Sequence, residues 1–443
     1  MSGHGADAAP SRERVVAAGA PALGGKIRQL SLVAAVIGMA IFVFGAATGN
    51  DRAWHAFHVN WLFFTIVSSA AVMFVAVQRI TTARWSRGVI RFLEGYVAFL
   101  PFAWLGLVAM VFLGKGHVYP WWNDLASLNH EKQVWLGHKF FALRTVGVFT
   151  ILAALQLWYV WTSVRLDVGV SPEGGASWAA GLRAKMRAAF GEERRELHST
   201  HSLQGRLAVF MALIFGFGWC VLAWDHSMSL DPHFFSTMYG WQVFMGGWLV
   251  ALMTFAVVIR FWRNRLGAED LVTQGHYHDI GKLCFGFTAF WGYITFAQYL
   301  VIWYGNVPEE THFFTQRLTN AWTNWTVAIV VLSFVLPFFG LLSVKAKTFS
   351  PTMIFFAACS TLGIWIQRYI EVYPSVYGSV SNAPFSFWEV GITIGFLGVW
   401  GWCYTGFMDG FPKFRVFLLT SPYRDEVQVP VDPKTMEPLP AHE

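Results

Sequence analysis

The sequence predicts an all-α integral membrane protein with ten transmembrane helices. Three observations carry that reading. Of 443 residues, 55% are hydrophobic and only 13% are charged, whereas soluble globular chains carry about 25% charged residues. Ten apolar stretches are long enough to cross a bilayer, which takes about 20 residues each. Finally, Lys and Arg gather on alternate connections between those stretches.

The elements follow in order. Residues 1–26 read as a flexible arm, without the basic start and short apolar run of a signal peptide. The apolar stretches then lie near 30–48, 56–77, 91–112, 140–164, 207–224, 234–259, 280–303, 325–344, 351–369 and 387–407. The third opens on Arg91 and Glu94, which blurs its start, and the fourth contains Arg144. The membrane domain is thus 27–412. Residues 413–443, with several prolines and charges, read as an extended tail.

Charge sets the expected orientation. The arm, the tail and connections 78–91, 165–206, 260–282 and 345–350 hold 25 of the 32 Lys and Arg residues. Connections 49–55, 113–139, 225–233, 304–324 and 368–386 hold six, and Arg144 is the last. The positive-inside rule puts both termini in the cytoplasm. In a bacterium that means the inner membrane, with the sparse set facing the periplasm. The basic pI reflects this topology and does not point to nucleic acid.

Long outer connections follow the third and seventh spans, four spans apart. Spans 2–5 and 6–9 therefore read as two parallel four-helix units with two flanking helices. In the inner connection, Trp178, Leu182, Met186 and Phe190 recur at helical spacing among basic residues. They suit either an amphipathic helix on the inner leaflet or a solvated helix packed on neighbouring loops.

Several chemistries lack support. Cys220, Cys284, Cys359 and Cys403 are far apart and fall inside spans, with no C-x-x-C or C-x-x-C-H pattern. Covalent haem or an iron–sulfur cluster on this chain is not expected. Histidines, His55, His58 and His117 among them, sit at span ends and in connections, so haem b between helix middles is not expected either. Neither a phosphate-binding Gly-Lys loop nor an H-E-x-x-H zinc motif occurs.

The chemistry present lies at span ends. Charges near hydrocarbon cost about 2.5–3.5 kcal/mol each, so each needs a reason. The stretch AWDHSMSLDPHFF (223–235) joins spans 5 and 6 on the outer side and holds Asp225, His226, Asp231 and His233. Asp225 ends an apolar helix, where it can take a proton from a bound hydroxyl. Asp231 before Pro232 also reads as an N-cap with Pro in the first turn of span 6. HKFFALR opens span 4, and its Arg144 needs a partner at that depth, for which Asp225 is a candidate. His138 suits a carbonyl ligand or an interfacial role. Polar residues continue inward: Glu94 and Tyr96 in span 3, Thr145, Thr150 and Gln156 in span 4, Gln242 in span 6, Gln298 in span 7, then Gln367, Arg368, Glu371 and Glu389. Such groups relay protons or simply bond helices together.

The ten-span pattern, FFALR at span 4 and above all MSLDPHFFSTMYG after a Trp-Asp helix end resemble a known family. It is the NrfD/polysulfide-reductase-C-like membrane subunits of bacterial alternative complex III. The likeness covers roughly 27–412, and the third span, RFLEGYVAFLPFAWLGLVAMVF, is closer to the ActF than to the ActC type. The resemblance implies a quinol:cytochrome c (or oxidase) oxidoreductase. Quinone or menaquinone would be the ligand, and c haems and iron–sulfur clusters would sit in partner subunits. Partners would be a multi-haem cytochrome c, an iron–sulfur protein, an ActC-like paralogue and a terminal oxidase. It also implies a proton route with Asp225 and Asp231 at its outer end. Two rival readings stay open: a proton-coupled transporter, and a scaffold without chemistry of its own.

Overall fold

The computed structural model describes residues 10–22, 25–424 and 426–427. Every regular element among them is helical. Ten helices are long and apolar enough to cross a membrane: Gly25–Ala47, Asp51–Ile80, Arg91–Phe112, His138–Val170, Glu193–Leu230, Thr237–Leu266, Gln274–Gly305, Asn320–Gly340, Ser350–Tyr377 and Phe387–Gly410, spans 1 to 10 below. Most outrun their apolar stretches because polar residues continue the helix past the hydrocarbon. Span 5 does so most. Its helix starts at Glu193, so the run ERREL (193–197) belongs to it and not to the preceding connection.

Span 2 is the hub. It touches spans 1, 3, 4, 5, 6, 9 and 10 and is buried on every side, as expected of a helix apolar all round. Its small polar residues serve as attachment points. Trp219 Nε1 of span 5 donates to Ser69 Oγ at 3.0 Å, and Gln156 Nε2 of span 4 donates to the Ser69 carbonyl at 2.8 Å. Trp400 Nε1 of span 10 donates to Ser68 Oγ at 3.1 Å. Hydrocarbon offers these donors no acceptor, so such bonds hold spans in register.

Spans 2, 3, 4 and 5 close a ring of sequential contacts around one polar interior, each touching the next and span 5 touching span 2, and spans 6, 7, 8 and 9 do likewise. Spans 1 and 10 pair along their length. A methyl carbon built on Gly38 would lie 2.2 Å from Gly395 Cα, so only glycine permits this approach.

Two spans are irregular. Span 3 passes through a 3-10 stretch, Gly95–Phe99, ahead of Pro101, and span 8 carries a π turn at Val331–Val335. These are five spans apart, so they do not occupy matching places in the two four-helix groups.

The described parts of the arm and tail, where the sequence reads as loose, are ordered pieces of the face that the charge bias assigns to the inside, called inner below and the opposite face outer. Arg12–Gly19 is a helix with Val15 and Ala18 buried, packed on a second short helix, Val416–Thr420. Arg14 bridges to Asp270 at 2.7 Å and Arg12 to Glu193 at 2.7 Å. Burial of Val15 and Phe417 supplies the apolar drive that composition alone does not reveal. The remainder of the expected arm and tail lies outside the described residues. The amphipathic segment is a 3-10 turn, Ser177–Ala179, leading into the helix Ala180–Ala188. Met186 is buried and Phe190 packs on Phe417, while Trp178 and Leu182 are exposed.

Candidate functional site

At the outer end of spans 2–5, the span 5 helix runs through to His226, so Asp225 and His226 are helical and fully buried. Arg144 of span 4 meets Asp225 as a two-pronged fork. Nε donates to Oδ2 at 3.0 Å and Nη2 to Oδ1 at 2.7 Å. The guanidinium also stacks 3.9 Å over Trp135 and donates to the Trp135 carbonyl at 2.9 Å. Arg144 and Asp225, candidates for pairing on depth alone, are thus joined. Both carboxylate oxygens are committed, and the pair satisfies the conditions under which a buried charge survives.

His226 points the other way, into the bundle. Nδ1 lies 2.7 Å from Tyr119 Oη and Nε2 lies 2.6 Å from Thr145 Oγ1. A neutral imidazole donates at one nitrogen and accepts at the other. The two hydroxyls therefore play opposite roles, and moving a proton across the ring reverses both. Burial, with the Asp225 charge adding to it, pushes the Tyr119 phenol well above its ordinary range, so it stays protonated. His58 of span 2 sits 6.0 Å from His226, ring to ring. It is wholly buried, and neither ring nitrogen has a hydrogen-bond partner among the described residues. A buried imidazole in that condition calls for water or a transient partner. His58 reads from the sequence as a span-start residue, but the helix begins at Asp51 and carries it two turns inward.

Further in, Gln156 donates to span 2 as described, while its Oε1 and the nearby span 2 hydroxyl Thr65 are buried without partners. At the inner end, Ser163 Oγ donates to Glu94 Oε1 at 2.8 Å, and Arg91 pairs with Glu94 at 2.5 Å and with Asp167. Asp167 Oδ1 accepts the Phe417 amide at 2.8 Å, tying in the C-terminal segment. Asp167 and Arg415 belong to this cluster but escape sequence reasoning, because their partners are 76 residues or more away.

Other candidates fall elsewhere. Asp231 is not the N-cap of span 6. That helix starts at Thr237 after Ser236, and Asp231 closes a 3-10 turn, its carbonyl accepting from Phe234 at 3.1 Å. His233 is exposed. His138 is also exposed, stacked 4.1 Å from Trp122 with Nε2 on the Trp122 carbonyl at 3.0 Å. Tyr96 turns away from the 2–5 interior and donates to Thr254 of span 6 at 3.0 Å. Gln242 donates to Thr295 at 3.3 Å and Gln298 to Ser236 at 3.4 Å, both in the 6–9 group. Glu389 caps span 10 and binds Arg52 at 2.7 Å, a structural post.

The 6–9 group has its own outer cluster. Arg368 Nη2 lies 2.8 Å from Glu371 Oε1, and Ser227 Oγ bridges Tyr239 and Glu371. The three Arg368 nitrogens, Glu371 Oε1 and Gln367 Oε1 nevertheless lack a well-aligned hydrogen bond among the described residues. Arg317, from the connection after span 7, plugs a backbone gap beside them. Pro374 has no N–H for the Ile370 carbonyl. Arg317 Nε donates there at 3.0 Å, and Nη2 donates to the Glu371 carbonyl at 3.1 Å.

Cavities open elsewhere. One of about 630 Å³, almost purely apolar, lies between spans 2, 6, 9 and 10, and one of about 510 Å³ lies at the inner ends of spans 1, 4 and 10. Neither touches Asp225 or His226. No family model matches the chain, and no curated protein matches it.

Proposed function

We propose that this chain is a membrane subunit of a respiratory quinol:electron-acceptor oxidoreductase of the alternative complex III type, and that its own part is proton handling. Quinol oxidation releases protons with its electrons. In this reading the electrons leave through haem and iron–sulfur partners on the outer side, which this chain helps anchor. The observation that carries the proton role is the run of buried exchangeable groups inside spans 2–5, beginning beside the clamped Asp225: His226 with Tyr119 and Thr145, unpartnered His58, Gln156, then Glu94 and Ser163. They occur at outer, middle and inner levels of one bundle. Intramembrane ionisable groups that face a bundle interior are the usual parts of proton relays.

The closed Asp225–Arg144 fork speaks against an open quinol pocket beside it. The two four-helix groups and both termini on the inner side belong to the same reading, from charge bias.

The test begins with mild-detergent purification of the tagged chain, assayed for c-type haem, iron and quinone. Quinol oxidation by that preparation is then compared with a His226→Gln form. The expected result is co-purified haem and iron, with turnover lowered at least tenfold by the variant while assembly holds. A chain that comes down alone and free of redox cofactors, under conditions that keep other membrane complexes whole, removes the respiratory reading.

A further inference from the structure

The cavity of about 510 Å³ at the inner ends of spans 1, 4 and 10 plays no part in the proposed proton route. Its wall is basic. Arg28, Arg183, Arg187 and Lys413 line it, against the two acids Glu173 and Asp409. Glu173 is already engaged by Arg187 at 3.2 Å. Arg183 Nη1 is spent on the carbonyls of Ala176 and Gly410, at 2.9 and 2.7 Å, which fixes the guanidinium at the cavity wall. Lys413 is buried and gives one bond, to the Gly19 carbonyl at 3.1 Å. Arg28 differs from these. It lies 5.7 Å over the Trp402 ring and has no hydrogen-bond acceptor among the described residues. Two independently anchored cations and one uncommitted guanidinium therefore face a shared space with a surplus of positive charge.

The surroundings say what kind of anion belongs there. The cavity sits where three apolar helices end, at headgroup depth for any bilayer that the spans fit. Beside it, Trp178 and Leu182 expose apolar side chains on the short helix that also supplies Arg183. From Arg28, successive turns of the same flank of span 1 expose Leu32 and Val36, 45% and 61% exposed. A hydrocarbon track thus starts at the basic mouth. A free phosphate uses only the mouth, while a phospholipid uses both.

We propose that this cavity holds the phosphodiester headgroup of an anionic phospholipid, with Arg28 and Lys413 as its principal ligands and span 1 as the seat of its acyl chains. Basic pockets between helix ends on the cytoplasmic side are suited to such headgroups. The assignment is independent of the redox reading and stands or falls separately.

The test uses the full chain in detergent. Phospholipid retained through purification is counted by native mass spectrometry. Thermal unfolding is followed with added phosphatidylglycerol, phosphatidylcholine or inorganic phosphate. The wild type should retain anionic lipid and gain more from phosphatidylglycerol than from phosphatidylcholine. Arg28→Gln loses no hydrogen bond and should lower retention about fivefold, and Arg28→Gln with Lys413→Gln roughly 30-fold. Lys139→Gln, at the far end of the molecule, should leave retention unchanged. If both basic-pocket variants fold with wild-type helix content and keep their lipid, the site is wrong. If inorganic phosphate alone reproduces the full stabilisation and no lipid is retained, the ligand is a soluble phosphate and the lipid assignment fails.

Discussion

The two outer acids, Asp225 in spans 2–5 and Glu371 in spans 6–9, are buried alike and partnered differently. Asp225 takes both prongs of an arginine from another helix, and that arginine is stacked and bonded in turn. Glu371 takes its arginine from its own helix, one turn back, where the short tether spoils hydrogen-bond alignment. A cross-helix fork locks two spans together and commits both carboxylate oxygens to one guanidinium. A same-helix pair locks nothing and leaves donors and acceptors unmatched. The first cluster is a clamp, and the second is a place that water must complete. Mobile protons next to Asp225 therefore belong to the neighbouring residue, His226, and not to the clamped carboxylate.

This contrast can be broken by mutation. The largest effect should come from Arg144→Met, which strands the Asp225 charge. A loss of about 3–5 kcal/mol is expected, read from thermal or denaturant unfolding in detergent. A loss below about 1 kcal/mol would mean that the clamp does not hold spans 4 and 5.

Next comes Arg317→Met. It orphans the Ile370 carbonyl, which Pro374 cannot serve, strips a second donor from the Glu371 carbonyl and should cost about 2–3 kcal/mol. Hydrogen exchange should rise locally over 370–378. Adding Pro374→Ala returns an N–H to Ile370 and should recover part of the loss. Without any recovery, the gap-plugging account of Arg317 is mistaken. Burial lowers the Arg317 guanidinium to about 10, so it remains charged at neutral pH and the effect should not vary between pH 6 and 8.

Glu371→Gln sharpens the comparison directly. The same-helix pair is poorly aligned to begin with, so less is lost when it goes, and the expected cost is about 1–2 kcal/mol, clearly below that of Arg144→Met. Equal costs would erase the distinction between the two clusters.

The smallest effect lies at the opposite face and serves as a control. The Arg14 guanidinium holds the Asp270 carboxyl below its ordinary 3.8. A depressed carboxyl contributes stability above that ordinary value and loses it as pH falls through the lowered one. The pair is solvent-exposed, so screening leaves at most about 0.5 kcal/mol. Proteolysis near residue 20 should quicken from pH 5 to pH 3 in the wild type. In Asp270→Asn it should already be at the faster level at pH 5, with both outer clusters unaffected.

Much of this molecule is legible in its sequence. The ten spans follow from runs of apolar residues, because the hydrocarbon solvent acts on each stretch separately and needs no tertiary information. Pairing of Arg144 with Asp225 is foreseeable too, since both sit at one depth and a buried charge demands a partner. The limits are equally physical. Asp231-Pro232 carries the local signature of a helix start, yet the chain spends five more residues turning, with Phe234 stacked on Phe313 at 3.9 Å, before span 6 begins. His58 looks like an interfacial histidine until the helix is seen to start at Asp51. Tyr96 and Gln156 look equivalent, but rotation about their helix axes sends one toward span 6 and the other into the 2–5 interior. Span number and charge bias are one-dimensional properties, which the sequence by itself determines. Which face of each helix meets which neighbour depends on packing among all ten at once. Only the tertiary structure decided that Asp225 is clamped, that Glu371 is not, and that Arg28 and Lys413, 385 positions apart in the chain, line one basic cavity.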